Sequence, residues 1–186
     1  EQFKLWFADI VNLKLEQPNA MILSTVDPQG FPDSRVVLLK HVDEQGFVFF
    51  TNYNSNKGKS IDNQPYVSLL FFSMELQRQI HVKGSIQKIS YDKSNEYFKS
   101  RPYGSQVAAL VSNQSSVVKS RTVLENDFSR LYKQNEHKTI ECPTHWGGYC
   151  VEPMSYEFWQ GRPSRLHDRI CYQKKSGQWE IFRKSP

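Results

Sequence analysis

The stretch AMILSTVDPQGFPDSRVVLLKHVDEQGFVFFT, residues 20–51, decides the fold of this chain. Three segments within it, residues 20–26, 33–40 and 47–51, are rich in Val, Ile, Leu and Phe, which favour strands. The intervening DPQG (27–30) and DEQG (43–46) contain the Asp, Pro and Gly residues that are typical of tight turns. The pattern therefore predicts a three-stranded antiparallel meander.

The sequence on either side of the meander predicts one helix before it and further strands after it. Residues 2–16 indicate an amphipathic helix that ends before Pro18, because apolar side chains recur at helical spacing: Phe3, Trp6, Phe7, Ile10 and Leu13. A short helix is expected at 57–63, followed by strands at 66–73 and 77–90. The second of these strands is long enough to bend at Gly84.

The second half of the chain predicts a group of helices and then three more strands. Helices are expected at 91–101, 105–111 and 120–134, before a polar connection at 135–144. The remaining strands are expected at 148–160, 166–174 and 178–183, the last two joined as a hairpin. Strands, then helices, then strands indicate a mainly β fold of the α+β class, with an antiparallel barrel or sheet and helices at one side.

Length and composition limit the class of protein. A chain of 186 residues has the size of one ordinary domain, so we predict a single domain over 1–186 with a helical insertion at about 91–134. The most apolar stretch, from Val67 to Phe72, is interrupted by Ser68 and is far shorter than a membrane-spanning helix, so no membrane partner is expected. The net charge of +5 suits an anionic small ligand or nucleic acid.

The cysteine and histidine patterns argue against several kinds of site. Cys142, Cys150 and Cys171 form no C-x-x-C pair, and their odd number argues against a disulfide scaffold, so a reducing cytoplasmic location is expected. The five histidines lack the spacing of zinc ligands, so no metal is predicted. The chain also lacks the glycine patterns of Rossmann cofactor sites, phosphate-binding P-loops and hydrolase nucleophile elbows.

Two segments near the meander carry positive charges that suit anions. Strand alternation places Arg35 and Lys40 on opposite faces, where they would serve two different anions or form the charged ends of an edge strand. The polar loop 51–59 runs into a helix start, where backbone N–H groups and Lys57 would either cradle a phosphate or form an ordinary helix cap.

Two further clusters combine charge with hydroxyl or imidazole groups. Tyr97 and Arg101 share a helix face and Ser105 begins the next helix, so the three would hold a phosphomonoester, unless Arg101 only caps its own helix. On a strand, Arg165, His167 and Arg169 project to one side, where their mutual repulsion favours an anionic or electron-rich ligand. The structural alternative is pairing with Asp168.

Ordered motifs along nearly the whole chain together resemble the pyridoxine/pyridoxamine 5′-phosphate oxidase family. They lie at residues 16–21, 35–40, 100–102, 105–106, 114–116, 146–148, 157–161 and 165–169. The resemblance implies a split β-barrel that forms a homodimer with two FMN molecules at the subunit interface. It also implies oxidation of pyridoxamine or pyridoxine 5′-phosphate to pyridoxal 5′-phosphate, with hydride transfer to FMN and reoxidation by dioxygen to hydrogen peroxide.

The resemblance also assigns residues to the two ligands. FMN contacts are implied, from both subunits, at Arg35, Val36, Val37, Leu38, Leu39, Lys40, Phe50, Thr51, Lys57, Gln79, Gln114, Ser115, Trp159 and Arg169. The substrate phosphate is assigned to Lys40, Tyr97, Arg101 and Ser105, and the pyridine ring to Arg165, Leu166 and His167. Arg165 would clamp the ring, while His167 would either position it or accept its proton.

Two residues depart from the family pattern, and two other functions compete. Asn56 stands where relatives often carry Arg, and Lys184 puts a charge at a normally apolar position. One rival is a flavin oxidase of the same fold that acts on another ring, as in phenazine synthesis. The other is a barrel that binds single-stranded nucleic acid, which would need its aromatic residues to form a stacking platform. These residues look like core instead: Phe47, Phe49, Phe50, Phe71 and Phe72.

Overall fold

The computed structural model describes residues 1–136 and 138–186. His137, in the predicted polar connection, lies outside the described residues. The helices are α1 (Gln2–Asn12), α2 (Asn56–Asn63), α3 (Tyr91–Ser100), α4 (Tyr103–Val111) and α5 (Arg121–Gln134). The strands are β1 (Ala20–Val26), β2 (Pro32–Leu38), β3 (His41–Val42), β4 (Phe47–Asn52), β5 (Tyr66–Ser73), β6 (Arg78–Lys88), β7 (Trp146–Gln160), β8 (Asp168–Lys175) and β9 (Gln178–Arg183).

The strands form one antiparallel sheet that curls into a barrel. The order of paired strands is β2-β1-β5-β6-β7-β4-β3, and the β8–β9 hairpin extends from β7. The first and last strands of this path, β2 and β3, are joined by only Leu39 and Lys40. The segment therefore pairs with β1 on one side and β4 on the other, which closes the barrel. The predicted α+β class and antiparallel barrel are confirmed.

The predicted meander is correct only in part, because the middle strand changes partners. It pairs with β1 over Pro32–Leu38 but reaches β4 only through His41 and Val42. At the change, Leu39 donates its backbone N–H to Asn19 at 2.9 Å and Lys40 donates to Val48 at 2.8 Å. β4 pairs along its length with β7 instead. A closed barrel needs this exchange, since a flat meander would leave both outer edges unpaired.

Other element boundaries differ where the backbone turns. The helix expected at 2–16 ends at Asn12, and Lys14 takes a positive φ of 55°, which a continuing helix does not allow. The strand expected at 166–174 begins only at Asp168, because a short 3₁₀ turn occupies Pro163–Arg165. The predicted bend at Gly84 is confirmed as a register shift between Lys83 and Gly84.

Two apolar clusters hold the molecule together. The barrel interior contains sixteen buried side chains, among them Phe47, Phe49 and Phe71, as predicted. The second cluster joins α3 and α4 to the barrel, with Phe50 packed against its edge. Phe72 is 55% exposed, so its predicted place in the core is wrong. Within the described residues, no helix combines the length and apolarity that crossing a membrane requires.

The packing of the interior predicts that truncation of a buried side chain destabilises the protein far more than truncation of an exposed one. Phe49 is fully buried, so Phe49→Ala should lower the free energy of unfolding by about 3–5 kcal/mol through lost burial and a residual cavity. Val117 is fully exposed, so Val117→Ala should change it by less than about 0.5 kcal/mol. Urea unfolding at one protein concentration measures both, and equal losses would contradict the assignment of the core.

Candidate active site

A cavity with a volume of about 840 Å³ lies where the barrel meets the helical cluster. Its lining combines cations, hydroxyl groups and aromatic rings: Arg35, Val36, Val37, Leu38, Lys40, Phe50, Thr51, Asn52, Lys57, Tyr97, Ser100, Arg101, Pro102, Ser105, Ala108, Ala109, Ser112, Gln114 and Trp146. This volume is in the range of cofactor and small-molecule sites. The cavity therefore gathers most of the residues that the resemblance assigns to the two ligands.

Lys57 lies at the wall of the cavity with its side chain buried. It occupies the first turn of α2, whose N-cap is Ser55. Its ammonium donates to Ser55 Oγ and to Gln114 Oε1, both at 3.2 Å, and in the described part of the chain no carboxylate pairs with it. Burial lowers the pKa of Lys57, and nearby Arg35 lowers it further. A buried cation with only neutral partners favours an anionic ligand.

Arg35 and Lys40 line the same cavity, so their predicted separation on opposite faces is wrong. β2 ends at Leu38, and the change of strand partner at the next two residues breaks the alternation. Leu39 points into the barrel core instead, with 5% of its surface exposed. Arg35 is oriented by an ion pair with Asp33 and by a 2.9 Å bond to Thr25 Oγ1.

Arg101 is the least satisfied cation of the cavity. Its guanidinium lies 4.6 Å from the ring centroid of Trp146, and its Nη1 atom is buried without a hydrogen-bond partner among the described residues. Burial lowers the pKa of Arg101 from its ordinary value. The alternative in which its side chain caps α3 is not seen, since the backbone of Arg101 alone bonds to Phe98. An unpartnered buried donor of this kind favours an acceptor from water or from a ligand.

Aromatic rings and a helix start complete this end of the cavity. Tyr97 stacks on Phe50 with ring centroids 3.9 Å apart, and Phe50 stacks on Trp146 at 5.5 Å. Lys40 Nζ lies 6.0 Å from the Tyr97 ring centroid. Ser105 sits in the first turn of α4, where its N–H donates to Pro102 at 2.8 Å. The predicted trio of Tyr97, Arg101 and Ser105 is therefore brought together.

A second group of predicted residues lies outside this cavity. Gln79, Trp159 and Arg169 form one row across β6, β7 and β8, because they are register partners on neighbouring strands. Arg169 makes bonds of 2.9 and 3.1 Å to the carboxylate of Glu157. Ser115, at a positive φ of 73°, accepts a 3.2 Å bond from the backbone of Asn56 but is not part of the lining.

Arg165 and His167 do not lie on a strand, so their predicted common face with Arg169 is wrong. Ser164 and Arg165 both adopt left-handed backbone angles, with φ of 56° and 61°, which is unusual for residues other than glycine. Arg162 donates its backbone N–H to His167 Nδ1 at 3.1 Å, and the imidazole packs against Trp159 at 4.7 Å. Nδ1 is therefore an acceptor, and the neutral ring carries its proton on Nε2.

Residues 183–186 lie beside this second group. Leu166 and His167 line a separate cavity of about 350 Å³ together with residues 183–186. Asp168 pairs with Arg162 at 2.7 Å and also with Arg183. The pairing of Asp168 thus exists, as the structural alternative required, but its partners are Arg162 and Arg183 rather than the residues of the predicted triplet.

Three residues that shape the two groups were not predicted from the sequence. Trp146 supplies the ring under Arg101, and Asn52 fixes the cavity wall through a 3.2 Å bond to the carbonyl of Ser112. Glu157 holds Arg169. All three stand inside or beside segments that the analysis had singled out, but their spacing carries no sign of which side chain they contact.

The described residues contain no arrangement suited to a metal ion. Over 1–136 and 138–186, no three His, Cys, Asp or Glu side chains converge. Cys142, Cys150 and Cys171 are free and buried. Burial raises the pKa of Cys142 to about 11, so this thiol is not an activated nucleophile.

Comparison with known proteins identifies relatives over the whole chain. A family model described as pyridoxamine 5′-phosphate oxidase matches residues 9–135, and a second, described as the pyridoxine 5′-phosphate oxidase C-terminal dimerisation region, matches 146–186. The pyridoxine/pyridoxamine 5′-phosphate oxidase of Paraburkholderia xenovorans is 51% identical over all of this chain and 87% of its own length. That of Nostoc punctiforme is 49% identical with the same coverage.

Solved structures show the same architecture. PhzG of Burkholderia lata, in complex with tetrahydrophenazine-1-carboxylic acid, matches with a TM-score of 0.94 and 25% identity, over 100% of this chain and 91% of its own. An FMN-binding, pyridoxamine 5′-phosphate oxidase-related protein of Nostoc punctiforme matches with a TM-score of 0.81 over 100% and 98%, at 16% identity, which speaks to the fold alone. On the two family models and the identity to its relatives, the chain belongs to the pyridoxamine 5′-phosphate oxidase family.

Proposed function

We propose that this protein oxidises pyridoxamine 5′-phosphate or pyridoxine 5′-phosphate to pyridoxal 5′-phosphate, with FMN as the bound electron acceptor. The observation that carries the proposal is the buried, unpartnered Nη1 of Arg101, which lies in the same cavity as the buried ammonium of Lys57. Two desolvated cations in one cavity suit two phosphorylated molecules.

The residues at the Lys57 end fit the phosphate and ribityl part of FMN. Lys57 and Arg35 supply positive charge, while Thr51 and Gln114 supply hydrogen-bonding groups. Thr51 Oγ1 donates a 3.3 Å hydrogen bond to Gln114 Oε1. Bound FMN would supply the acceptor for a hydride and the route of its electrons to dioxygen, with hydrogen peroxide as product. The chain itself supplies anchoring and alignment.

The residues at the Arg101 end fit the phosphate of the substrate. The guanidinium of Arg101, the Tyr97 hydroxyl and the hydroxyl of Ser105 line one wall, and Lys40 lies beside them. Arg101 is kept in place by stacking on Trp146, so its donors face a ligand without a large loss of side-chain entropy on binding. A phosphate fixed here would set the distance of the pyridine ring from the other end of the cavity.

The second group of residues accords with a homodimer in which each chain completes its partner's cavity. Trp159, Arg165, His167 and Arg169 all lie in the segment matched by the dimerisation region. None of them lines the large cavity of their own chain. Supplied by a second copy, Arg165 would stack on the pyridine ring and His167 would donate from Nε2. Because His167 Nδ1 already accepts the backbone N–H of Arg162, the positioning role is favoured over the role of a proton acceptor. A cytoplasmic location, suited to the free cysteines, is part of the proposal.

One other candidate function has an observation in its favour. The TM-score of 0.94 to PhzG favours a phenazine-type ring substrate. Such a substrate has a carboxylate and no phosphomonoester, so it would leave the Tyr97, Arg101 and Ser105 donors incompletely used. The identity of about half to the pyridoxine/pyridoxamine 5′-phosphate oxidases favours the phosphorylated substrate.

Absorbance of the purified protein separates these functions. We expect a yellow protein whose flavin band is bleached by pyridoxamine 5′-phosphate without air and restored by air, with formation of the aldehyde product. Bleaching by tetrahydrophenazine-1-carboxylic acid but not by pyridoxamine 5′-phosphate would favour the second function. A colourless protein that takes up no FMN would refute both.

Removal of the Arg101 guanidinium should weaken substrate binding selectively. Arg101→Ala should raise KM for pyridoxamine 5′-phosphate by about 10- to 100-fold, because a hydrogen bond to a charged group contributes about 1.5–3 kcal/mol. Steady-state kinetics with pyridoxamine, which lacks the phosphate, should show little difference between the two proteins. Arg130→Ala, which removes an exposed arginine paired with Asp127, is the control. An unchanged KM in Arg101→Ala would contradict the phosphate assignment.

The buried ammonium of Lys57 predicts that FMN binding weakens as the pH rises. The phosphate prefers protonated Lys57, whose pKa is lowered by burial, so affinity should begin to fall at a pH below the ordinary lysine pKa. Because Lys57 loses a single proton, the affinity for FMN falls by at most about tenfold per pH unit. Fluorescence titrations between pH 7 and 10 measure it, with riboflavin as the ligand that lacks the phosphate. Lys57→Arg should remove the pH dependence, and an equal dependence for riboflavin would contradict the assignment.

A further inference from the structure

The C-terminal tail contacts Arg169 and Glu157 through Lys184 and Ser185. β9 ends at Arg183, and the backbone N–H of Lys184 donates to the carbonyl of Arg169 at 2.9 Å. The ammonium of Lys184 reaches Glu157 Oε2 at 3.3 Å. The carbonyl of Ser185 accepts a 3.0 Å bond from Arg169 Nη1. The tail and the side chain of Arg169 are therefore joined to the same carboxylate.

Arg169 uses every nitrogen of its guanidinium in this arrangement. Nε and Nη2 donate to the two oxygens of Glu157, while Nη1 donates only to Ser185 within the described residues. A planar guanidinium held at all three nitrogens has one orientation. The side chain of Glu157 is only 15% exposed, so water competes less for these bonds than at an open surface. The tail thus adds a third contact to the two that Glu157 makes with Arg169.

Lys184 supplies the side-chain anchor of that tail. In residues 184–186 it is the only side chain that donates a hydrogen bond. Burial by itself would raise the pKa of Glu157, but the bonds to Arg169 and Lys184 lower it, so the carboxylate is ionised at neutral pH. Without the ammonium, Glu157 still pairs with Arg169, but only the backbone bond of Lys184 then anchors the tail beside the Ser185 carbonyl.

We propose that Lys184 is a positioning residue, which holds the C-terminal tail on Glu157 so that Ser185 orients Arg169 for its contact with the flavin. The proposal rests on the proposed function, in which Arg169 belongs to the FMN site. Arg169 stands in register with Trp159, and Trp159 with Gln79, so the tail fixes the end of one continuous row of flavin contacts.

FMN affinity of matched lysine variants tests the proposal. Lys184→Met keeps the length of the side chain and removes its charge, and should raise the dissociation constant for FMN by about threefold to tenfold, the range of one lost hydrogen bond. Lys184→Arg should restore most of the affinity. Lys175→Met removes a comparable ion pair, the 2.6 Å contact with Glu180 at the β8–β9 turn, and should change the constant less than about twofold.

A double-mutant cycle separates positioning from a general structural role. If Lys184 acts through Arg169, Lys184→Met has no further effect on FMN affinity in the Arg169→Met background. Equal losses in both backgrounds, or a Lys184→Met protein that binds FMN like the wild type, would overturn the inference while leaving the proposed function standing. A wild-type protein that binds no FMN would overturn the proposed function together with it.

Discussion

The exchange of strand partners at Leu39 and Lys40 closes the barrel, and the site depends on that closure. Before the exchange the chain pairs with β1, and after it with β4, so one short segment borders both the cavity and the core. Leu39 fills the interior while Arg35 and Lys40 reach the cavity. Since β4 and β7 carry Thr51 and Trp146, closure also brings the cation-bearing segment opposite the groups that line the remaining wall.

Once formed, the cavity is electrostatically incomplete. Lys57 is buried beside neutral groups, Arg101 has an unpartnered nitrogen, and Arg35 lies near enough to Lys57 to lower its pKa. Each of these features costs free energy, which a bound anion would offset. Trp146, which is stacked on Phe50, keeps the guanidinium of Arg101 in place.

The remaining predicted residues form a second assembly on β6, β7 and β8. Its geometry is fixed by three different devices: sheet register for Gln79 and Trp159, left-handed backbone angles at Ser164 and Arg165, and the carboxylate of Glu157 for Arg169. The side chains of His167 and Arg169 are held by hydrogen bonds within the chain. In the proposed homodimer, this order would reduce the entropy lost when a ligand binds.

The sequence by itself determined the strands of the barrel, the three helices that follow β6 and the resemblance to a family, because periodicity, turn residues and motif order are local. It also placed Tyr97, Arg101 and Ser105 together, since two adjacent helices separated by Pro102 keep them close. Only the tertiary structure decided that Arg35 and Lys40 share a cavity, that Trp146 lies under Arg101, and that Arg165 and His167 leave the strand. Strand exchange, stacking across elements and left-handed backbone angles are set by contacts between residues distant in the chain, which a single sequence does not display.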